Sequence, residues 1–346
     1  MRPLLIALGL MLAVGLWPGA SDAQAPQAPQ AAPRTPAPAT GQRPQPAAPA
    51  TTARPAPPGL SADGDANDPL IAALRNGSFL PALAIALERA RGGDLIAMVV
   101  VAEIYARGLG VQQNLTEAAN WFDLAARRDH TPAVFALGMM RLRGEGGPRD
   151  RRQAADLFDR AAAAGHPEAA FNAALIIVEG EVRTRDLFRA AGLFRRAADL
   201  GVADAMYALA QMHREGQGVP RDAAQTVRWL KAGAERGLPE AQTEYAIMLF
   251  RGDGVEANEA EAARWFETAA RSGSAVAMNR LARLRLTGRA VERDPVLAAG
   301  LHLATKRVGM SDQMLEGALQ ELSPEQRARA ETLSEEWTPL QPLGTR

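Results

Sequence analysis

Apolar and polar positions along the chain fall into register when the sequence is set in rows of 36 residues. Small residues then stack as Ala97, Ala133, Ala169, Ala205, Ala241 and Ala277. Glycines stack as Gly108, Gly144, Gly180, Gly216, Gly252 and Gly288, and six residues further on stand Asn114, Asp150, Asp186, Asp222, Asn258 and Asp294. A large apolar column follows with Trp121, Leu157, Leu193, Trp229, Trp265 and Leu301. Within each row the apolar spacing of three and four predicts two helices, A and B. The glycine column ends helix A, because glycine takes a left-handed backbone at least cost. The Asx column starts helix B by capping its free amides, with Glu117, Gln153, Gln225 and Glu261 placed for a capping box. In the last row Asp294-Pro295 achieves the same start.

Between the helices runs Gly-x-Gly-Val, as in Gly108-Leu109-Gly110-Val111 and Gly252-Asp253-Gly254-Val255. With no strand before it and no Lys-Ser/Thr pair after it, this loop reads as a tight turn and not a phosphate cradle. Helix B puts Ala118, Ala119, Trp121, Phe122, Ala125 and Ala126 on one face, so the Trp column is expected in the core between repeats. The expectation is an all-α fold, an α-solenoid of six helix-turn-helix units over 94–129, 130–165, 166–201, 202–237, 238–273 and 274–309. Residues 68–93 read as an N-terminal capping hairpin, 310–337 as C-terminal capping helices and 338–346 as a flexible tail.

Taken together, Ala97 to Ala126 carries the pattern Ala-x-x-x-Leu-Gly/Ala-x-x-Tyr-x-x-Gly-x-Gly-Val-x-x-Asp-x-x-x-Ala-x-x-Trp-Phe-x-x-Ala-Ala almost throughout, and it resembles the Sel-one-like repeat (SLR) family, a relative of tetratricopeptide repeats. Departures are local: Val182 replaces the second loop glycine in repeat three, Gly147 replaces valine in repeat two, and repeat six has Ala290. The resemblance implies a right-handed superhelix whose concave inner face is lined by the A helices. It also implies an adaptor or regulator, of the kind that restrains a sensor kinase, scaffolds polysaccharide export or organises the cell envelope. Cysteine-rich secreted members associated with β-lactams are cross-linked within each repeat, and this chain has no cysteine.

The N-terminus changes the picture of where this solenoid works. Arg2, an apolar run from Leu4 to Trp17 and the small-residue stretch to Ala23 read as a signal peptide over 1–23, and a periplasmic or secreted location follows as an expectation. The absence of cysteine excludes a lipid-anchored lipoprotein and a disulfide framework. Residues 24–67 are rich in Ala, Pro, Gln and Thr and are expected to form a disordered linker. Charge is balanced, 39 basic against 39 acidic residues, so no basic field for nucleic acid is expected.

Helix A locates a candidate binding surface by its own geometry. Columns 97, 98, 101, 104 and 105 share one arc and are expected to be buried, whereas columns 99, 103 and 106 face away. On that outward arc repeats two and three place Phe135, Met139, Leu142, Phe171, Leu175 and Val178, followed by Tyr207 in repeat four. An outward apolar strip marks a partner site, here expected to take an envelope protein or peptide, with Asn172, Arg214 and Glu244 at its polar edge. The competing expectation is that neighbouring A helices cover these side chains. His130 and His166 share a column at repeat joints, without a carboxylate or thiol column to complete a metal site. No nucleophile or metalloprotease motif occurs, and no cofactor is expected. An interaction scaffold is therefore the first functional expectation, and a cell-wall or polysaccharide-modifying enzyme or glycan-binding protein the second.

Overall fold

The computed structural model describes residues 68–337 and Pro339. The expected signal peptide and linker, and all of the tail except Pro339, lie outside the described residues. Among the described residues there are 16 helices and no strand, arranged as an α-solenoid. A short hairpin of α1 (Pro69–Arg75) and α2 (Phe79–Arg91) comes first. Six A/B pairs follow: α3 (Leu95–Arg107) with α4 (Leu115–Ala126), α5 (Thr131–Arg143) with α6 (Arg151–Ala163), and α7 (Pro167–Glu179) with α8 (Leu187–Asp199). Then come α9 (Ala203–Glu215) with α10 (Ala223–Glu235), α11 (Pro239–Arg251) with α12 (Glu259–Arg271), and α13 (Ala275–Thr287) with α14 (Pro295–Lys306). Two helices, α15 (Gln313–Glu321) and α16 (Pro324–Glu336), close the described chain, and α16 packs on α14.

Each A helix ends where the glycine column stands, with φ between 65° at Gly108 and 75° at Gly144 and Gly252. The cap amide returns to a carbonyl four residues back, as from Gly216 to Met212 at 2.9 Å. Each B helix starts at its Asx residue, whose side chain accepts from the amide three residues on, at 2.8 Å for Asp150 and Gln153. The expected capping boxes at Glu117, Gln153, Gln225 and Glu261 do not close. The amides of Asn114, Asp150, Asp222 and Asn258 already donate to the carbonyls of Tyr105, Arg141, His213 and Leu249 at 2.8–2.9 Å, so no cap donor remains for the returning side chain. Those bonds instead tie the start of helix B to the end of helix A. A reciprocal box does form at Ser323 and Gln326, where α16 begins.

The second loop glycine has a packing reason as well as a conformational one. Gly254 sits at φ 71°, and a Cβ there would stand 2.6 Å from the carbonyl carbon and oxygen of Ala223, the first residue of the B helix one repeat earlier. In repeat six Ala290 takes the same left-handed backbone at φ 63°, while Val182 in repeat three does not, so the turn there has a different path.

The core runs continuously through the stack. All six residues of the small column, Ala97 to Ala277, are 0% exposed, which lets B and A helices of adjacent repeats approach closely. The expected large column is core at Leu157, Trp229 and Leu301 but half-buried at Trp121, Leu193 and Trp265, whereas the next position, Phe122, Phe158, Phe194, Leu230, Phe266 and His302, is buried throughout. Truncating Phe158 or Phe194 to alanine removes about 3–5 kcal/mol by the usual cavity cost. Arginines near the ends of the B helices reach back one repeat, Arg128 and Arg236 donating to the carbonyls of Gly93 and Gly201 at 3.1 Å.

Candidate functional site

The A-helix face is built from side chains at the sixth, tenth and thirteenth positions of each repeat. Their fate differs by repeat, and the expectation of an open apolar strip is corrected in its centre. Phe171 is 9% exposed and Leu175 3%, because α7 lies between α5 and α9 and both side chains are drawn into the core; the Phe171 ring lies 5.6 Å from that of Phe194 on α8. Phe135, Met139, Leu142, Val178 and Tyr207 are half-buried. Phe135 stacks on the His166 ring at 4.3 Å and tilts against Phe158 at 5.9 Å.

Helix-A column spacing shows which way a side chain leaves its own helix, and the stacking partner comes from the next repeat. His166 is that partner because it is also the N-cap of α7. Its Nδ1 accepts from the Ala169 amide at 3.3 Å, as His130 Nδ1 accepts from Ala133 at 3.3 Å. The histidine column thus serves helix starts. Burial pushes both imidazoles below the ordinary histidine range; at His166 the Glu168 carboxylate, 3.3 Å away, opposes this less strongly.

What remains of the strip forms the walls of a hollow of about 400 Å³ between α5, α7 and α9. Met139, Leu142, Phe171 and Leu175 give its apolar wall, and Val202 extends it. Two arginines, Arg143 and Arg149, and two carboxylates, Glu168 and Asp204, stand at its rim, so its charge is balanced. Asn172 also lines it, with its amide donated to the Glu168 carbonyl at 2.6 Å.

Toward the C-terminus the face becomes polar. The Tyr207 hydroxyl donates to Glu244 Oε1 at 2.6 Å, Gln211 Nε2 to both Glu244 oxygens at 3.0 and 3.1 Å, and Arg214 Nη1 to Oε2 at 2.7 Å. Burial, then the Glu244 carboxylate, raises the Tyr207 phenol, which stays protonated and locks α9 to α11. Burial also raises the carboxyls of Glu103 and Glu179, but each sits against an arginine, Arg107 at 2.8 Å and Arg151 respectively, and not against the other. These are structural ion pairs on separate repeats. Two further hollows, of about 530 and 420 Å³, flank α11, walled by arginines of which only Arg214 stood at the expected polar edge. The signal was present in Arg214, Arg251 and Arg283 on successive A helices.

The model of the Sel1 repeat matches residues 95–130, 131–166, 167–202, 203–238, 239–274 and 275–303. Among solved structures, a protective antigen of uropathogenic Escherichia coli strains displaying an SLR fold is 28% identical with a TM-score of 0.67. That match covers 73% of this chain and 56% of that one. A Sel1 repeat protein from Oxalobacter formigenes is 26% identical with a TM-score of 0.62, covering 69% of this chain and 98% of that one. No curated protein matches the chain. Helix pairs, turn glycines, Asx caps and these matches agree, and the chain belongs to the Sel1 repeat family.

Proposed function

We propose that this protein is an exported interaction scaffold that holds an apolar segment of an envelope protein against the A helices of repeats two to four. Sel1 repeat proteins in general mediate protein–protein interaction, which supplies the class. The observation that carries the site is the 400 Å³ hollow with Met139, Leu142, Phe171 and Leu175 on its wall, within the size range that accommodates a large side chain. Met139 and Leu142 are the half-buried members and offer the contact, while Phe171 and Leu175 hold the wall in place. The apolar run Leu4 to Trp17 supports export. Among the described residues no helix is long and apolar enough to cross a membrane.

The test is crosslinking in living cells with a photoreactive residue at Leu142, followed by mass spectrometry. One envelope protein is expected in stoichiometric yield, lost in Met139→Glu while circular dichroism stays unchanged. Undiminished capture by the variant, or recovery of glycan fragments alone, refutes the reading.

A further inference from the structure

The two hollows flanking α11 differ in chemistry from the apolar one. They adjoin, since Ile247 and Arg251 belong to the walls of both. Together their walls carry six arginines, Arg214, Arg221, Arg251, Arg280, Arg283 and Arg289, against two carboxylates, Glu244 and Asp253. The apolar hollow is balanced at two against two, and the whole chain at 39 against 39, so the excess is a property of this place and not of composition.

Three of those guanidinium groups are already engaged. Arg214 is held by Glu244 at 2.7 Å, Arg283 by Asp312 at 2.6 Å, and Arg289 Nε by Glu259 at 2.9 Å. The other three, Arg221, Arg251 and Arg280, are exposed and make no hydrogen bond or ion pair among the described residues. Beneath the second rim the floor is apolar: Ile247, Phe250 and Leu284, with Met314 of α15 left 47% exposed beside them. Arg289 covers the Phe250 ring at 4.6 Å, so this aromatic is packed beneath a cation and not free to stack on a base.

We infer that this groove binds an acidic peptide segment bearing a large apolar side chain, the carboxylates pairing with Arg251 and Arg280 while the side chain covers Ile247 and Met314. Unpaired guanidinium groups supply bidentate donors for carboxylates, and the exposed methionine supplies an adaptable apolar contact. The inference goes beyond the apolar hollow and rests only on the reading that the A-helix face binds.

The experiment is fluorescence anisotropy on the full chain, with a labelled peptide of glutamates flanking one phenylalanine as probe. Saturable binding that weakens with added salt is expected. Arg251→Glu with Arg280→Glu should lower affinity by about tenfold or more, Arg251→Lys with Arg280→Lys, which keeps the charge but loses the bidentate fork, should fall between that and the unmodified protein, and Arg264→Glu on α12 should change nothing. A peptide with alanine for phenylalanine should bind more weakly. The inference is overturned if no binding is seen, if the lysine version of the peptide or an oligonucleotide of equal charge binds as tightly, or if the double charge reversal has no effect. The Leu142 crosslink, read in the same charge-reversal variants, separates the two sites: it persists if only the acidic groove is wrong or lost, and its absence in the unmodified protein refutes the apolar hollow alone.

Discussion

Replacing Gly254 with alanine isolates the contact that spaces one repeat from the next. Two costs combine. At φ 71° an alanine pays for left-handed backbone, about 1–2 kcal/mol. Its Cβ would also lie 2.6 Å from the carbonyl carbon and oxygen of Ala223, where non-bonded carbons prefer roughly 3.5–4.0 Å. Repeats four and five must then part by about 1 Å, and such overpacking adds about 1–3 kcal/mol. Gly237 is the control: its φ is 83°, but an added Cβ meets nothing within 4 Å, so Gly237→Ala bears the backbone cost alone. Urea and thermal unfolding followed by circular dichroism should therefore place Gly254→Ala about 1–3 kcal/mol below Gly237→Ala, a separation of roughly 2–10 °C at the sensitivity of a domain this size. Hydrogen exchange should quicken at the start of α10 and in the α11–α12 loop. Coincident midpoints for the two variants would refute the argument that backbone contact sets the repeat spacing.

Two further outcomes follow from titrating groups. The folded-state imidazoles of His130 and His166 lie below their ordinary value, so as pH falls through about 6.5 the unfolded chain takes up protons first. Stability is full above that pH and declines below it; His130→Asn with His166→Asn, which keeps a cap acceptor, should flatten denaturation midpoints between about pH 6.5 and 5. At Asp312 burial raises the carboxyl, but hydrogen bonds from Arg283, Asn279 and the Leu315 amide outweigh it and hold it at about 2. Its contribution is present above the ordinary carboxylate range and lost as pH falls toward 2, so Asp312→Asn should cost about 2 kcal/mol at neutral pH and remove the acid-dependent loss, as measured by urea titration across that range.

The repeat and its turns were legible because they depend on one residue each. Gly108 to Gly288 occupy left-handed backbone, and Asn114 to Asp294 cap their helices, since both requirements are local. Capping boxes were less legible because the competing acceptor, such as Leu249 for the Asn258 amide, belongs to the other helix of the pair. Exposure of Phe135 and Phe171 was not legible either: helical spacing gives a direction from one axis, and burial is decided by His166 and Phe194, contributed by other helices. Ala290 shows the reverse case, a turn that keeps its backbone after losing its glycine.

Where the second loop glycine is kept, the stop between repeats is set by backbone, glycine against the first peptide of the previous B helix, as at Gly146 and Leu115, Gly218 and Leu187, and Gly254 and Ala223. At those joints the closest approach is fixed by the main chain and not by the side chains that meet a partner. Arg251 and Arg280, exposed and free of hydrogen bonds and ion pairs, take no part in those contacts. The solenoid works as a fixed ruler with interchangeable marks, and the identity of what it measures is free to change while its length and bend are not.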